Sequence, residues 1–219
     1  MTRYQLAMLA RSRAALVPMA AYLFVLLGVY AYRRNEVDAS YAVTVLLLFP
    51  LSAWLAAASA FAEPMTQRLI VTAAAGGPGP ALRGRVQALG LVVGAMAVAD
   101  VVFPIIAGVF DRKVSGEDVI TGLLGHLGAG AVGLAVGLVP VPPTVRRPPM
   151  AFLAITVYAL AAVPLYALAP VLSPVAWLGA AINDTDARTV ASAVVLATVV
   201  AFVHAAVVLG MGEGLRRRA

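Results

Sequence analysis

Stretches of about 20 consecutive apolar residues recur along this chain of 219 residues, and they constrain its fold more than any motif does. Hydrophobic residues make up 62% of the chain, against roughly half in soluble domains. In hydrocarbon every backbone N–H and C=O group must be satisfied within the segment, which favours helices. We therefore predict an all-α, polytopic membrane protein with a single transmembrane domain over residues 1–219.

Six segments of 19 to 25 residues are long enough to cross a bilayer at a rise of 1.5 Å per residue. They are Ala14–Tyr32, Tyr41–Ala62, Val86–Phe110, Val119–Val141, Met150–Ala169 and Thr189–Met211. The first segment is too long for a cleaved signal, and no small-residue cleavage pattern follows it, so we expect the N-terminus to be retained.

Basic residues divide unequally between the two sides of this topology. Eleven arginines lie on the side of the termini and of the loop between spans two and three, whereas the other side has five basic residues against seven acids. The positive-inside rule predicts cytoplasmic termini and a multi-pass protein of the inner (plasma) membrane. Lys113 is the only lysine among 16 basic residues, which indicates a GC-rich bacterial genome. The +6 charge is explained by membrane anchoring, and we expect no nucleic-acid partner.

Two flanking segments carry patterns of their own. Residues Thr2–Arg13 place apolar side chains between arginines, as an amphipathic helix on the inner surface does, and the alternative is a merely basic flank. On the outer side, residues 170–188 are apolar for their first two-thirds and contain Trp177. They either re-enter the membrane or extend the fifth span to a proline bend.

Several kinds of chemistry lack the residues they need. The chain has no cysteine, and its only lysine, Lys113, does not lie in a phosphate-binding G-x-x-x-x-G-K-[ST] loop. His126 and His204 have no carboxylate or second histidine at metal-ligating spacing. We therefore expect a chain that is not itself an enzyme and holds no cofactor or metal.

Asp100 lies within the third span, toward its outer end. An ionised carboxylate at the centre of a membrane helix costs about 2.5 to 3.5 kcal/mol on insertion scales, so a partner or water must compensate. One interpretation is a polar point in a translocation pathway or a proton-titrating site paired with His126 or His204. The other is a structural hydrogen-bond anchor.

The fourth span carries small residues at every fourth position. These are Gly125, Ala129, Gly133 and Gly137. Small residues allow helix backbones to approach closely in a membrane, so this face is predicted to pack against another helix.

The segment from Glu63 to Arg85 is the most elaborate polar interruption in the chain. Its 23 residues contain three arginines, the apolar run RLIVTAAA and the sequence GGPGP at 76–80. A bare turn between two spans needs none of these features. We interpret it as a cytoplasmic docking element for a soluble protein, the alternative being a solvated loop with positive-inside arginines.

This segment resembles the membrane subunit of type-2 ATP-binding-cassette exporters. The resemblance rests on Glu63 at the end of the second span, the GGPGP turn, and the pair Gly84-Arg85 at the start of the third. The six-span layout, the N-terminal helix and the outer segment extend it over nearly the whole chain. The family's E-x-x-x-G-T motif is replaced here by E-P-M-T-Q-R, so the docking register is not carried over.

The resemblance implies a coupling helix seated in a separate ATPase subunit, which would hold ATP and Mg²⁺. It also implies a second membrane subunit, identical or related, and export of a substrate. The few charges in the spans favour an amphipathic or apolar cargo such as a lipid, a hydrophobic natural product or a peptide. The docking residues are predicted to be Glu63, Gln67, Arg68, Leu69, Ile70, Val71, Gly84 and Arg85.

Two other functions fit the sequence. A stand-alone secondary transporter would use Asp100 to couple substrate to protons, although the chain shows no inverted repeat with broken helices. A membrane scaffold, or an inactive partner of an active permease, would not transport at all.

Overall fold

A computed structural model describes residues 1–31, 35–138, 147–168, 177, 178, 182 and 187–216. Its helices are α1 Thr2–Arg11, α2 Arg13–Val29, α3 Val37–Phe61, α4 Met65–Ala74, α5 Pro78–Ala107, α6 Gly116–Gly137, α7 Pro148–Leu168 and α8 Ala187–Arg216. Within these ranges the β-type pairing is limited to one isolated bridge, between Asn35 and Phe110. The predicted all-α class is confirmed.

Three helices, α3, α5 and α6, are long and apolar enough to cross a membrane. Helices α1 and α2 meet at a bend of 73° and together qualify as a fourth crossing. The apolar parts of α7 and α8 whose side chains are described, 148–161 and 188–201, are shorter. The chain is thus a helical, membrane-embedded protein with three or four candidate spans in its described part, and the six-span topology stays a prediction.

Helix α3 forms the centre of the molecule. Most of its apolar residues are buried, with Val45, Leu48, Ala53 and Ala57 fully inaccessible. A helix that is apolar all round is stable only when other helices or lipid surround it. Here α2, α5, α6 and α7 all pack against α3, so it holds these four helices together.

The glycine-rich helix α6 packs against α3 at very short range. A Cβ atom at Gly133 would overlap the Phe49 carbonyl oxygen, and one at Gly137 would overlap the Ala53 carbonyl oxygen. At Gly125 a Cβ would lie 2.5 Å from Ile182, in the segment after α7. The face predicted from the small-residue spacing is therefore the face that meets α3 and residue 182.

The loops at the end of the molecule remote from α4 are tied together. Asn35 donates its backbone N–H to the Val109 carbonyl at 3.0 Å and accepts from the Asp111 N–H at 3.1 Å. Arg112 donates to both carboxylate oxygens of Asp118, at 2.6 and 3.0 Å, and this pairing raises the pKa of Arg112 above its ordinary value. The Asn35 hydrogen bonds join the connection before α3 to the one between α5 and α6, and the Arg112–Asp118 pair ties that second connection to the start of α6.

Some predicted boundaries differ from the observed ones. The segment 63–85 is not one loop, since it contains α4, a short turn and the first two turns of α5. Helix α5 begins at Pro78, eight residues before the predicted span, because proline is well suited to the first position of a helix. The N-terminal helix ends at Arg11 rather than Arg13. The proposed outer segment 170–188 lies mostly outside the described residues.

Candidate docking site and buried carboxylate

Helix α4 is bounded by residues that stop a helix at both ends. Pro64 has extended backbone, and its carbonyl accepts the first helical hydrogen bond, from the Arg68 N–H at 2.9 Å. At the other end the Gly77 N–H reaches back to the Thr72 carbonyl at 2.9 Å, with Gly76 at a φ of 80°. This closure needs a left-handed residue, which glycine provides without strain. The GG of the GGPGP sequence thus ends α4.

The outward face of α4 is apolar and uncharged. Met65, Leu69 and Ile70 are 67%, 60% and 64% exposed, and Thr66 and Ala73 are exposed beside them. Large apolar side chains clustered on a helix surface mark a contact with protein or lipid. The helix therefore presents a surface that water does not favour.

The charged and polar side chains near α4 turn inward instead. Glu63 is 5% exposed, and its carboxylate accepts from the Tyr4 hydroxyl at 2.9 Å and pairs with the Arg85 guanidinium at 3.1 Å. The Gln67 amide donates to the same Tyr4 oxygen at 2.6 Å. We call Tyr4, Glu63, Gln67 and Arg85 the polar cluster; it links α1, the α3–α4 connection, α4 and α5.

The protonation of Tyr4 suits this cluster. Burial raises the pKa of the Tyr4 hydroxyl above its ordinary value, and the hydrogen bond to Glu63 raises it further. The hydroxyl therefore keeps its proton at neutral pH and donates a hydrogen bond to the carboxylate. Hydrogen bonds to an ionised group are stronger than neutral ones, so this contact holds α1 firmly.

Arg68 lies outside the polar cluster and contacts the C-terminal end of α3. Its guanidinium donates to the Ala60 carbonyl, in the last turn of α3. The last carbonyls of a helix lack intrahelical partners and carry a partial negative charge, which a cation stabilises. Arg68 thus caps α3 from the first turns of α4.

Helix α1 lies close against the start of α5. A Cβ atom at Gly84 would lie 2.5 Å from the Met1 Cβ, and the Thr2 hydroxyl donates to the Gln87 side-chain oxygen at 2.8 Å. The absence of a side chain at Gly84 therefore allows α1 to pack closely against α5, and Gly84 is itself buried.

A second buried carboxylate lies within the spans. The Tyr22 hydroxyl of α2 donates to an Asp100 carboxylate oxygen of α5 at 2.5 Å. The two residues are 7% and 1% exposed, so water does not compete for the bond. Tyr22 supplies the compensation that an acidic residue in a membrane helix requires.

His126 makes a separate set of contacts. Its Nδ1 lies 2.6 Å from the Gly122 carbonyl and its Nε2 lies 2.8 Å from the Thr44 hydroxyl. A carbonyl cannot donate, so the Nδ1 atom carries the proton and the Thr44 hydroxyl donates to Nε2. Both ring nitrogens of His126 are therefore engaged elsewhere, and the hydrogen-bond partner of Asp100 is Tyr22. The predicted pairing of Asp100 with His126 is wrong. The His204 side chain lies outside the described residues.

Comparisons of the chain with protein-family models, curated proteins and solved structures returned no match. Function is therefore inferred from the chain's own residues.

The predicted docking residues separate into two groups. Leu69 and Ile70 lie on the outward face of α4, with Val71 half-buried beside them. The five others face inward, in the polar cluster, at the end of α3 or against α1; they are Glu63, Gln67, Arg68, Gly84 and Arg85. Within the described ranges no three His, Cys, Asp or Glu side chains are grouped to hold a metal ion.

Sequence reasoning missed three residues of these sites. Met65 extends the apolar face of α4, Tyr4 completes the polar cluster, and Tyr22 holds Asp100. The hydrophobicity of Met65, placed four residues before Leu69, was a usable signal. The two tyrosines gave none, since their partners lie 59 and 78 residues away.

Proposed function

We propose that this chain is the membrane (permease) subunit of an ATP-binding-cassette exporter, and that α4 is its coupling helix. In this proposal ATP is hydrolysed by a separate ATPase subunit on the cytoplasmic side. The chain has six spans with both termini cytoplasmic, and it pairs with an identical or related membrane subunit. The substrate is an amphipathic or apolar molecule, such as a lipid, a hydrophobic natural product or a peptide.

The observation that carries this proposal is the orientation of α4. A solvated loop would turn Arg68 and Glu63 to water and bury Leu69, Ile70 and Met65, and the reverse is found. An apolar helix face exposed beside a basic membrane surface fits a hydrophobic groove in another protein, where a short helix is recognised by the apolar side chains that share one face.

The connections of α4 suit the transmission of force. Three residues, 62–64, separate α4 from α3, and three more, 75–77, join it to α5 through the glycine turn. The polar cluster adds a third attachment, to α1. Movement of a partner that grips α4 would therefore tilt α3 and α5 together and carry α1 with them.

Co-purification tests this proposal. Tagged protein extracted in mild detergent is expected to retain a subunit that hydrolyses ATP and whose sequence contains a phosphate-binding loop. Changing Leu69→Glu together with Ile70→Glu should abolish retention, because charged side chains would have to be desolvated in an apolar groove. Arg3→Glu, an exposed change on α1, is the matched control and should retain the ATPase. Failure of the wild-type protein to retain any such subunit would exclude the exporter.

A second function, a stand-alone proton-coupled transporter, is supported by the buried Asp100 carboxyl and its Tyr22 donor. Such a transporter would work without an ATPase subunit and would need a titrating group at residue 100. Substrate flux in proteoliposomes that hold this chain alone, driven by a pH gradient and lost in Asp100→Asn, would favour it over the exporter.

A further inference from the structure

An apolar crevice opens between α2, α3 and α7, at the end of the molecule where α4 lies. Its volume is about 520 Å³, within the range of about 300 to 1,000 Å³ that is usual for small-molecule sites. Its walls are Ala14, Val17, Pro18, Ala21, Trp54 and Phe152. Neither the docking face of α4 nor the Tyr22–Asp100 pair belongs to it.

Exposed arginines lie close in sequence to the walls of this crevice. Arg13 directly precedes the wall residue Ala14, and Arg147 directly precedes α7, which supplies Phe152. Both arginines are exposed, and Arg11 is exposed one residue before the α1–α2 connection. The N-terminal ends of α2 and α7 add partial positive charge at the same level. An apolar wall under a basic rim is complementary to a molecule with an anionic head and an apolar chain.

Trp54 contributes its ring to the apolar wall of the crevice. Its indole Nε1–H is buried and has no hydrogen-bond partner among the described residues. Buried donors are nearly always paired. Because this nitrogen is shielded from solvent, Trp54 presents the apolar part of its ring to the crevice.

We propose that this crevice is a binding site for an anionic phospholipid of the surrounding bilayer. One acyl chain fills the space between α2, α3 and α7, and the phosphate lies against Arg13 and Arg147. The site does not depend on the proposed transport function, since it requires only membrane embedding and the described contacts.

Native mass spectrometry of the purified full chain tests this site, with phosphatidylglycerol and phosphatidylcholine of equal chain length as probes. The wild-type protein is expected to retain one phosphatidylglycerol in preference to phosphatidylcholine. Arg13→Gln with Arg147→Gln should weaken phosphatidylglycerol binding by about fivefold for each arginine and weaken binding of the zwitterionic phosphatidylcholine less, so that the preference for phosphatidylglycerol is lost. Arg3→Gln, at an exposed arginine away from the crevice, is the charge control and should bind as the wild type does.

A second variant tests the crevice itself. Ala21→Trp fills the space and should reduce retention of phosphatidylglycerol at least tenfold, whereas Leu27→Trp, on the exposed side of α2, should not. Equal retention of both lipids by the wild type, or unchanged retention in Ala21→Trp, would overturn the proposal. A dimer that Ala21→Trp dissociates without loss of lipid would also overturn it, because a second copy of the chain would then cover the crevice. The arginine changes lie on the surface, so they remain informative if the tryptophan variant does not fold.

Discussion

Glu63 joins parts of the chain that are far apart in sequence. Its carboxylate contacts Tyr4 of α1 and Arg85 of α5, and its backbone leads from α3 into α4. A buried carboxylate is costly in isolation and becomes acceptable only with a cation and a hydrogen-bond donor in place. Both are present at Glu63. This residue, which lies just after the end of α3, therefore also fixes the positions of α1 and α5.

Replacing Glu63 with Gln should destabilise the protein by about 3 kcal/mol, because the buried Arg85 guanidinium loses its counter-ion. Reversible unfolding in mixed detergent and dodecyl sulfate, followed by tryptophan fluorescence, measures this change. Tyr4→Phe is expected to cost only about 1 kcal/mol, the usual net value of one hydrogen bond. Equal stability of Glu63→Gln and the wild type would show that the ion pair contributes nothing.

The Tyr22–Asp100 hydrogen bond can be isolated by a double-mutant cycle. Tyr22→Phe removes the donor and Asp100→Leu removes the acceptor, so the double variant should be more stable than the sum of the two losses predicts, by about 1 kcal/mol. The same unfolding assay gives the four free energies. Strict additivity of the two changes would show that the 2.5 Å contact carries no energy of its own.

At the scale of elements, the pairing of α3 with α6 depends on the absence of side chains at the contact. The Ala53 backbone occupies the space that a side chain at residue 137 would need, and the Phe49 carbonyl does the same at residue 133. Van der Waals packing drives helix association in lipid, so this close approach is a main source of cohesion.

Gly137→Ala should therefore destabilise the protein by about 1 to 3 kcal/mol through overpacking. Gly90→Ala is the matched control, because a Cβ atom there meets no atom within 4 Å and alanine favours the helix. The control should be neutral or slightly stabilising in the same unfolding assay. A harmless Gly137→Ala would mean that α3 and α6 separate easily.

Much of the element-scale structure follows from patterns that are local in the sequence. Apolar stretches give the helices, glycines at 76 and 77 end α4, and the four-residue spacing from Gly125 gives the packing face of α6. The inward turn of Glu63 and the choice of Tyr22 as partner of Asp100 depend on how helices distant in sequence are rotated about their axes. Composition and spacing do not contain that rotation, which explains why Tyr4 and Tyr22 were missed.

At the scale of the whole molecule, helices α3 and α5 run in opposite directions. Helix α3 enters at the end that holds Asn35 and leaves at the end that holds α4, and α5 returns. The α4 end and the loop around Lys113 must therefore lie on opposite sides of the membrane if α5 crosses it.

Single cysteines can test this arrangement cleanly, because the natural chain has none. With a membrane-impermeant maleimide, Lys113→Cys is expected to react in intact cells and Thr66→Cys only after permeabilisation. Both positions are exposed, so a difference in labelling reports the side of the membrane. Labelling of both variants in intact cells would contradict the assignment of α5 as a span and of α4 as cytoplasmic.

The backbone bridge between Asn35 and Phe110 has a mechanical consequence. Two hydrogen bonds tie the α2–α3 connection to the residues that follow α5. A tilt of α5 that keeps both bonds must therefore pivot at this end of the helix. Helix α5 has 30 residues and is therefore a lever of about 45 Å at 1.5 Å per residue. Each degree of tilt about that end moves the opposite end of α5, which holds Gly84 and Arg85, by about 0.8 Å, so a small rotation of α5 displaces α1 and α4 measurably.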